Sequence, residues 1–309
     1  RWIFWINVPF GLGGIVLAHL YMPNARAELN DKLDWTGFFL AGAGLASLIF
    51  GFTVYGRDIL PSYLAPSMMA AGAMLITTYV LRSRSISNPI LDLVLLRIAT
   101  LRTSVTGGGV FRLGIGAIPF LLPLMLQVGF GLDAFRSGLI ILTGAFGAIV
   151  MKFTAAAILR HWGFRVVLTV NALICAFFLG IYAVFTPATP HLVIAGVLLV
   201  GGFFRSLQFT ALNAVAYADI PQASMSRATA LVAVAQQLFT SAGVAFAALV
   251  LETSRAMRGD DQLITQDFTT AFMAIAGLMA IAAFAHWRLA ANAAADVSGH
   301  RARNVPASL

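Results

Sequence analysis

Nine apolar runs, each long enough to cross a bilayer, divide the chain at roughly 5–22, 36–54, 63–81, 103–128, 135–158, 166–186, 191–217, 227–251 and 268–288. A helix needs about 20 apolar residues to span the ~30 Å hydrocarbon core. The expected fold class is therefore all-α, a polytopic membrane protein with about nine transmembrane helices. Composition agrees. Of 309 residues, 60% are hydrophobic and 10% charged, against about 25% charged in soluble domains. So little charge could not cover a soluble surface. The single cysteine, Cys175, sits inside an apolar run and excludes an internal disulfide or a cysteine metal site.

The formal charge of +8 does not call for nucleic acid, because the basic residues alternate with the spans. Arg26, Lys32, Arg82, Arg84, Arg97, Arg102, Arg160, Arg165, Arg227, Arg288, Arg301 and Arg303 fall in one set of connections; Arg1, Arg57, Arg136, Arg255 and Arg258 fall in the other. Twelve against five marks the first set as cytoplasmic. The N-terminus is then outside and the C-terminus inside. The chain opens at Arg1 and runs at once into an apolar helix, so it reads as a piece of a longer protein lacking its N-terminal helices.

Local signals fit this division. Asp34 can cap the helix beginning at Trp35, and Asp133 the one beginning at Ala134. Pro89 to Arg102, PILDLVLLRIATLR, is too short and too charged to span and reads as an amphipathic segment on the cytoplasmic surface. Residues 289–309 read as a disordered cytoplasmic tail.

Three charges fall inside the spans: Arg112, Lys152 and Arg205. An arginine at mid-helix costs about 2.5–3.5 kcal/mol on insertion scales and faces a bundle interior or a wet cavity. Arg112 and Arg205 either lock helices through neighbouring carbonyls or line a transport pathway. Lys152 lies nearer a cytoplasmic end and can snorkel. Gln127, Gln208 and Asn213 are further polar candidates. Gln208 shares a helix face with Arg205 at i+3, whereas Asn171 suits an interhelical hydrogen bond. Every Asp and Glu lies in a loop or at a helix end, and His19, His191 and His286 lie near helix ends or interfaces. No proton carrier is visible mid-membrane. The Arg112 run also holds Gly107, Gly108, Gly109, Gly114, Gly116, Pro119 and Pro123, which favour close packing and kinks.

H-E-x-x-H, G-x-S-x-G, a phosphate-binding glycine loop and a dinucleotide fingerprint are all missing from the sequence. No loop is long enough for a soluble domain. Transport is therefore the leading class, ahead of a membrane enzyme or a non-transporting scaffold. No cofactor or metal is expected.

RWIFWINVPFG at 1–11, Leu33-Asp34-Trp35-Thr36-Gly37, FRLGIGAIPFLLPLMLQVGFG at 111–131, MKFTAAAILRHWGFRVVL at 151–168 and FRSLQFTALNAVAYADIP at 204–221 together resemble major facilitator drug:proton antiporters. The likeness is to the fourteen-helix branch of EmrB/QacA type, the MdtD-like members among them. The resemblance implies a major facilitator-type helical bundle of which nine helices are present. Residues 1–22 would end the N-terminal bundle. Residues 23–102 would hold the inserted central pair and a cytoplasmic linker, and 103–288 the C-terminal six-helix bundle. It implies proton-driven efflux of drugs or other small amphipathic molecules through the inner (plasma) membrane by alternating access. The partners would be a small-molecule substrate, protons, the lipid bilayer and the missing N-terminal helices. Arg112 and Arg205 would line the central cavity, on the first and fourth helices of the C-terminal bundle. A transporter of a specific anionic metabolite is the alternative. One departure stands out. The branch's short loop runs D-R-x-G-x-R, and here the matching residues are Arg160, His161, Trp162, Gly163, Phe164 and Arg165. Gly163 and Arg165 fit, but Arg160 replaces the acid.

The charge count makes one prediction. A fluorescent-protein fusion after residue 290 should light up, and a phosphatase fusion there should be inactive. The reverse pattern would invert the topology.

Overall fold

A computed structural model describes residues 2–21, 34–55, 61–86, 89–259 and 262–300, and among these there is helix but no strand. Helix α1 (Trp2–Tyr21) forms a unit of its own, and the described residues from Asp34 onward form a second. Arg1, Arg26, Lys32, Arg57, Arg301 and Arg303, counted above for orientation, lie outside the described residues.

In the second unit, α2 (Trp35–Val54) and α3 (Leu64–Ser83) form a hairpin. Asp34 caps α2 by accepting the Gly37 amide at 2.9 Å, and it also pairs with Arg82 at the far end of α3, 2.7 Å away. Burial pushes the Asp34 carboxyl up, but the Gly37 amide and the Arg82 guanidinium outweigh it and hold the group below the usual carboxylate range. A 3-10 turn, Leu93–Arg97, leads into α4 (Ala99–Leu124), which ends in a π-helical turn, Met125–Gly129. Pro119 and Pro123 lie in the preceding turns. Proline removes a backbone donor, and such local adjustments re-satisfy the freed carbonyls.

Helix α5 (Ala134–Tyr182) has 49 residues. As a straight rod it would be about 74 Å long, far beyond one bilayer core. Gly163, at φ 72° and ψ 164°, breaks it into arms 134–162 and 164–182. Only glycine adopts that backbone without a Cβ penalty, so the short basic loop expected here is a one-residue reversal. Then follow α6 (His191–Tyr217), α7 (Met225–Arg258), α8 (Thr265–Trp287) and the short α9 (Ala295–Ser298). Among the described residues, seven helices are long and apolar enough to cross a membrane. Since α5 holds two of the predicted runs, these seven account for eight of the nine, and the ninth lies in α1.

α5 packs on α6 and α8, α4 on α7 and α8, and α2 on α3 and α7. Lipid tails are as apolar as leucine, so helices associate through close packing. Gly202 of α6 lies so close to α5 that an added Cβ would overlap the Gly144 backbone. At the opposite end of α7, Asp267 is fully buried and accepts from Arg258, Ser254 and the Ile264 amide, which ties α7 to α8.

Two expectations are corrected. The 89–102 segment does not turn its apolar residues outward as a whole. Leu91 and Leu95 are buried with Tyr79, Leu101 and Val232. The Tyr79 hydroxyl accepts the Leu91 amide at 2.7 Å and donates to the Leu91 carbonyl at 3.2 Å. Asp92 pairs with Arg227 at 3.2 Å, and residues 99–102 are already α4. Leu91, Leu95 and Asp92 of this segment meet protein, while Val94 and Arg97 are exposed. The stretch 289–300 is also ordered: Leu289 and Ala294 are buried, and the His300 ring lies against Gly163. Residues 301–309 of the expected disordered tail lie outside the described residues.

Gly202→Val should overpack the α5–α6 contact, costing at least the ~1–3 kcal/mol typical of such strain. Thermal exposure of the buried Cys175 thiol should then occur at a lower temperature. A second expectation concerns pH. Because the folded-state pKa of Asp34 is depressed, its contribution is present above the unfolded value, about 3.9, and is lost as pH falls through the folded value. Melting of wild type should therefore drop more steeply below about pH 4 than melting of Asp34→Asn.

Candidate functional site

Arg112 projects back along α4, as long side chains on helices do. Its Nη1 donates to the Ser104 carbonyl at 3.0 Å and its Nη2 to Asn213 Oδ1 at 3.3 Å. The guanidinium lies 6.0 Å from the Phe209 ring centre. Gly108 makes the space, since a Cβ there would sit 2.8 Å from Arg112 Nη1. The whole residue is 2% exposed, so it is enclosed by α4 and the helices packed on it and does not stand free in a cleft.

From this buried group a polar path leads outward. Asn213, on α6, is exposed and also accepts from Gln236 Nε2 of α7 at 3.1 Å. One turn back on the same face of α6, Thr210 accepts from Lys152 Nζ of α5 at 3.1 Å. Lys152 therefore turns to α6, where the sequence left open a snorkelling side chain. Arg112, Lys152, Thr210, Asn213 and Gln236 together join α4, α5, α6 and α7. Neither Arg112 nor Lys152 has a carboxylate partner among the described residues.

The other candidates lie elsewhere. Arg205 is half-buried and makes no hydrogen bond or ion pair among the described residues. It lies eight residues, about 12 Å, from Asn213 along α6. Gln208 is fully buried: its Nε2 donates to the Leu168 carbonyl at 3.0 Å and its Oε1 accepts from Asn171 at 2.8 Å. Asn171 also donates to the Phe204 carbonyl at 2.8 Å. Gln208 thus pins α6 to α5 and does not share an open face with Arg205. Helical spacing placed it near Arg205 but did not show which neighbour it meets. Gln127 is exposed on the π-helical turn, roughly 22 Å along α4 from Arg112, and takes no part in the path.

In the loop motif, Gly163 forms the reversal, and Arg165 stacks on the Trp287 ring of α8 at 4.4 Å. The Arg160 side chain is exposed, while its carbonyl meets His300 Nδ1 at 3.0 Å. Two features escaped the sequence reading. Thr210 drew no notice, although it stands at i−3 from Asn213. His286, expected at an interface, is fully buried where α8 meets Gly107 of α4, with neither ring nitrogen in hydrogen-bond geometry.

Residues 1–244 match the family model described as Major Facilitator Superfamily. The chain belongs to the Major Facilitator Superfamily. It is 30% identical over 273 residues to HsrA of Haemophilus influenzae, a protein named as a probable transport protein, covering 88% of this chain and 59% of that one. It is 28% identical over 286 residues to MdtD of Klebsiella pneumoniae, named for multidrug resistance, covering 92% and 60%. MdtD of Escherichia coli O6:H1 is 27% identical over 287 residues, with 92% and 60% covered. The chain thus spans about three fifths of the length of these relatives. With its apolar helices, this superfamily member is a multi-pass membrane protein.

Gln208→Leu removes a donor from the buried Leu168 carbonyl and an acceptor from Asn171. Leaving such groups unmade costs about 1–3 kcal/mol each, so the melting temperature should fall. Gln236→Ala, at the outer end of the path, should shift stability by no more than about 0.5 kcal/mol.

Proposed function

We propose that the complete protein is a proton-driven exporter of small amphipathic molecules, working by alternating access in the inner membrane with its C-terminus in the cytoplasm. The supporting observation is the polar path from buried Arg112 through Asn213 to Gln236, with Lys152 and Thr210 beside it, in a superfamily member whose relatives are named for transport and multidrug resistance. In this reading Arg112 answers to charge: its buried guanidinium responds to whatever anion or acid comes to the open end of the path, and Asn213 transmits the response between α4, α6 and α7. Helices outside this chain supply the facing wall and the proton-coupling acid. Arg205 is a second cationic position on the same α6 helix. Gly163 and Arg165 hold the turn between the α5 arms. The protein carries its substrate across the membrane unchanged and is not an enzyme.

A second reading has its own support. Arg112, Lys152 and Arg205 form no ion pair among the described residues, and a carboxylate or phosphate on the substrate would supply what they lack. That favours a specific organic anion.

Full-length Arg112→Gln, at normal membrane abundance, should lose about tenfold or more of export, the scale of one charge-assisted hydrogen-bond set. Arg205→Ala tests the second cation in the same way. Export at the wild-type rate in both would sink the proposal. Counterflow in vesicles loaded with fluorescent cations or with organic acids separates the two readings.

A further inference from the structure

The two arms of α5 and the middle of α6 enclose a crevice of about 320 Å³. Ile158 and Trp162 of the first arm, Val166, Val170 and Ile174 of the second, and Phe204 of α6 form most of its wall. Trp162, Val166 and Val170 are about half-exposed and stand on its open side. The one polar residue on the wall, Asn171, already commits its amide to the Phe204 carbonyl and to Gln208. The crevice therefore offers an occupant mainly hydrocarbon contact.

A second hollow, about 480 Å³, adjoins it and is lined by Arg160 and His161. Ile158 and Trp162 belong to both, so the apolar crevice and the basic hollow meet along these two side chains. No carboxylate lines either one. The Arg160 side chain has no ion pair among the described residues, and the His161 ring rests edge-on to Trp162, 5.0 Å between centres. From Val166 to Ile174 the crevice runs eight residues, about 12 Å along the helix. One leaflet's hydrocarbon is roughly 15 Å, half the bilayer core.

We propose that this is a binding site for an anionic phospholipid of the adjacent leaflet. One acyl chain lies in the crevice beside Trp162, Val166, Val170 and Phe204, and the phosphate is held by Arg160 and His161. The chemistry is that of a basic pocket at a helix end joined to an apolar groove, which suits a charged headgroup on a hydrocarbon tail. The site does not depend on what the protein transports.

The test uses the full-length protein in phosphatidylcholine vesicles containing a fixed fraction of phosphatidylglycerol. Bromine on the acyl chains of one lipid or the other quenches nearby tryptophan. The Trp162 contribution is taken by difference from Trp162→Phe. It should be quenched about fivefold more effectively by brominated phosphatidylglycerol at equal mole fraction, the preference one basic group near a membrane supplies. Arg160→Gln should abolish the preference, and Val170→Phe, which fills the crevice, should reduce it. Equal quenching by the two lipids, or a preference that survives Arg160→Gln, overturns the proposal. Loss of the preference on adding millimolar inorganic phosphate would show a free-anion site and overturn the lipid assignment.

Discussion

Hydrocarbon offers a backbone no hydrogen bonds, and the architecture of this chain follows from that one constraint. Each spanning stretch satisfies its own amides and carbonyls as helix. Departures from regular helix are confined to places where other groups can take over. The π-helical turn Met125–Gly129 follows two prolines at the end of α4, and the Gly163 reversal sits where α5 would otherwise outrun a bilayer. With no hydrophobic force to drive helix onto helix in lipid, contact depends on small residues. The backbone approach of Gly202 to Gly144 shows how close α5 and α6 come.

The same constraint governs the polar side chains. Among the described residues, five carboxylates are paired with arginines: Asp34, Asp92, Asp133 and Asp267 at or next to helix ends, and Glu252 two turns from the end of α7. Asp34, Asp92 and Asp267 tie separate elements together, whereas Asp133 and Glu252 pair with arginines three residues along their own helices. The three cations within the spans are treated differently. Arg112 donates from Nη1 and Nη2 to neutral oxygens, the Ser104 carbonyl and the Asn213 amide, while its buried Nε has no partner among the described residues, and Lys152 donates to the Thr210 hydroxyl. Neutral partners hold Arg112 and Lys152 in place without cancelling their charge.

Local chemistry was readable from the sequence. The nine apolar runs are a property of consecutive residues, and the capping roles of Asp34 and Asp133 depend on partners three positions away. The direction of individual side chains was not readable, because helices in lipid are apolar nearly all round and periodicity carries little information. Gln208 and Asn213 illustrate the difficulty. They are five residues apart on α6, yet one is sealed against α5 and the other is exposed. Leu91 and Leu95 looked like a membrane-facing stripe and instead meet Tyr79 and Leu101. His286 looked interfacial and is enclosed because α4 presents Gly107 to it.

The sequence by itself determined the class of fold, the apolar runs, the alternation of basic residues with them and the three charges that fall inside them. All of these follow from transfer energies summed along a segment. Tertiary structure alone decided that Arg112 reaches Asn213 and Gln236, that Gln208 is a pin, and that Arg160 borders an apolar crevice. Each of those depends on which face of one helix a second helix covers, and that choice is made by close packing between segments far apart in the chain.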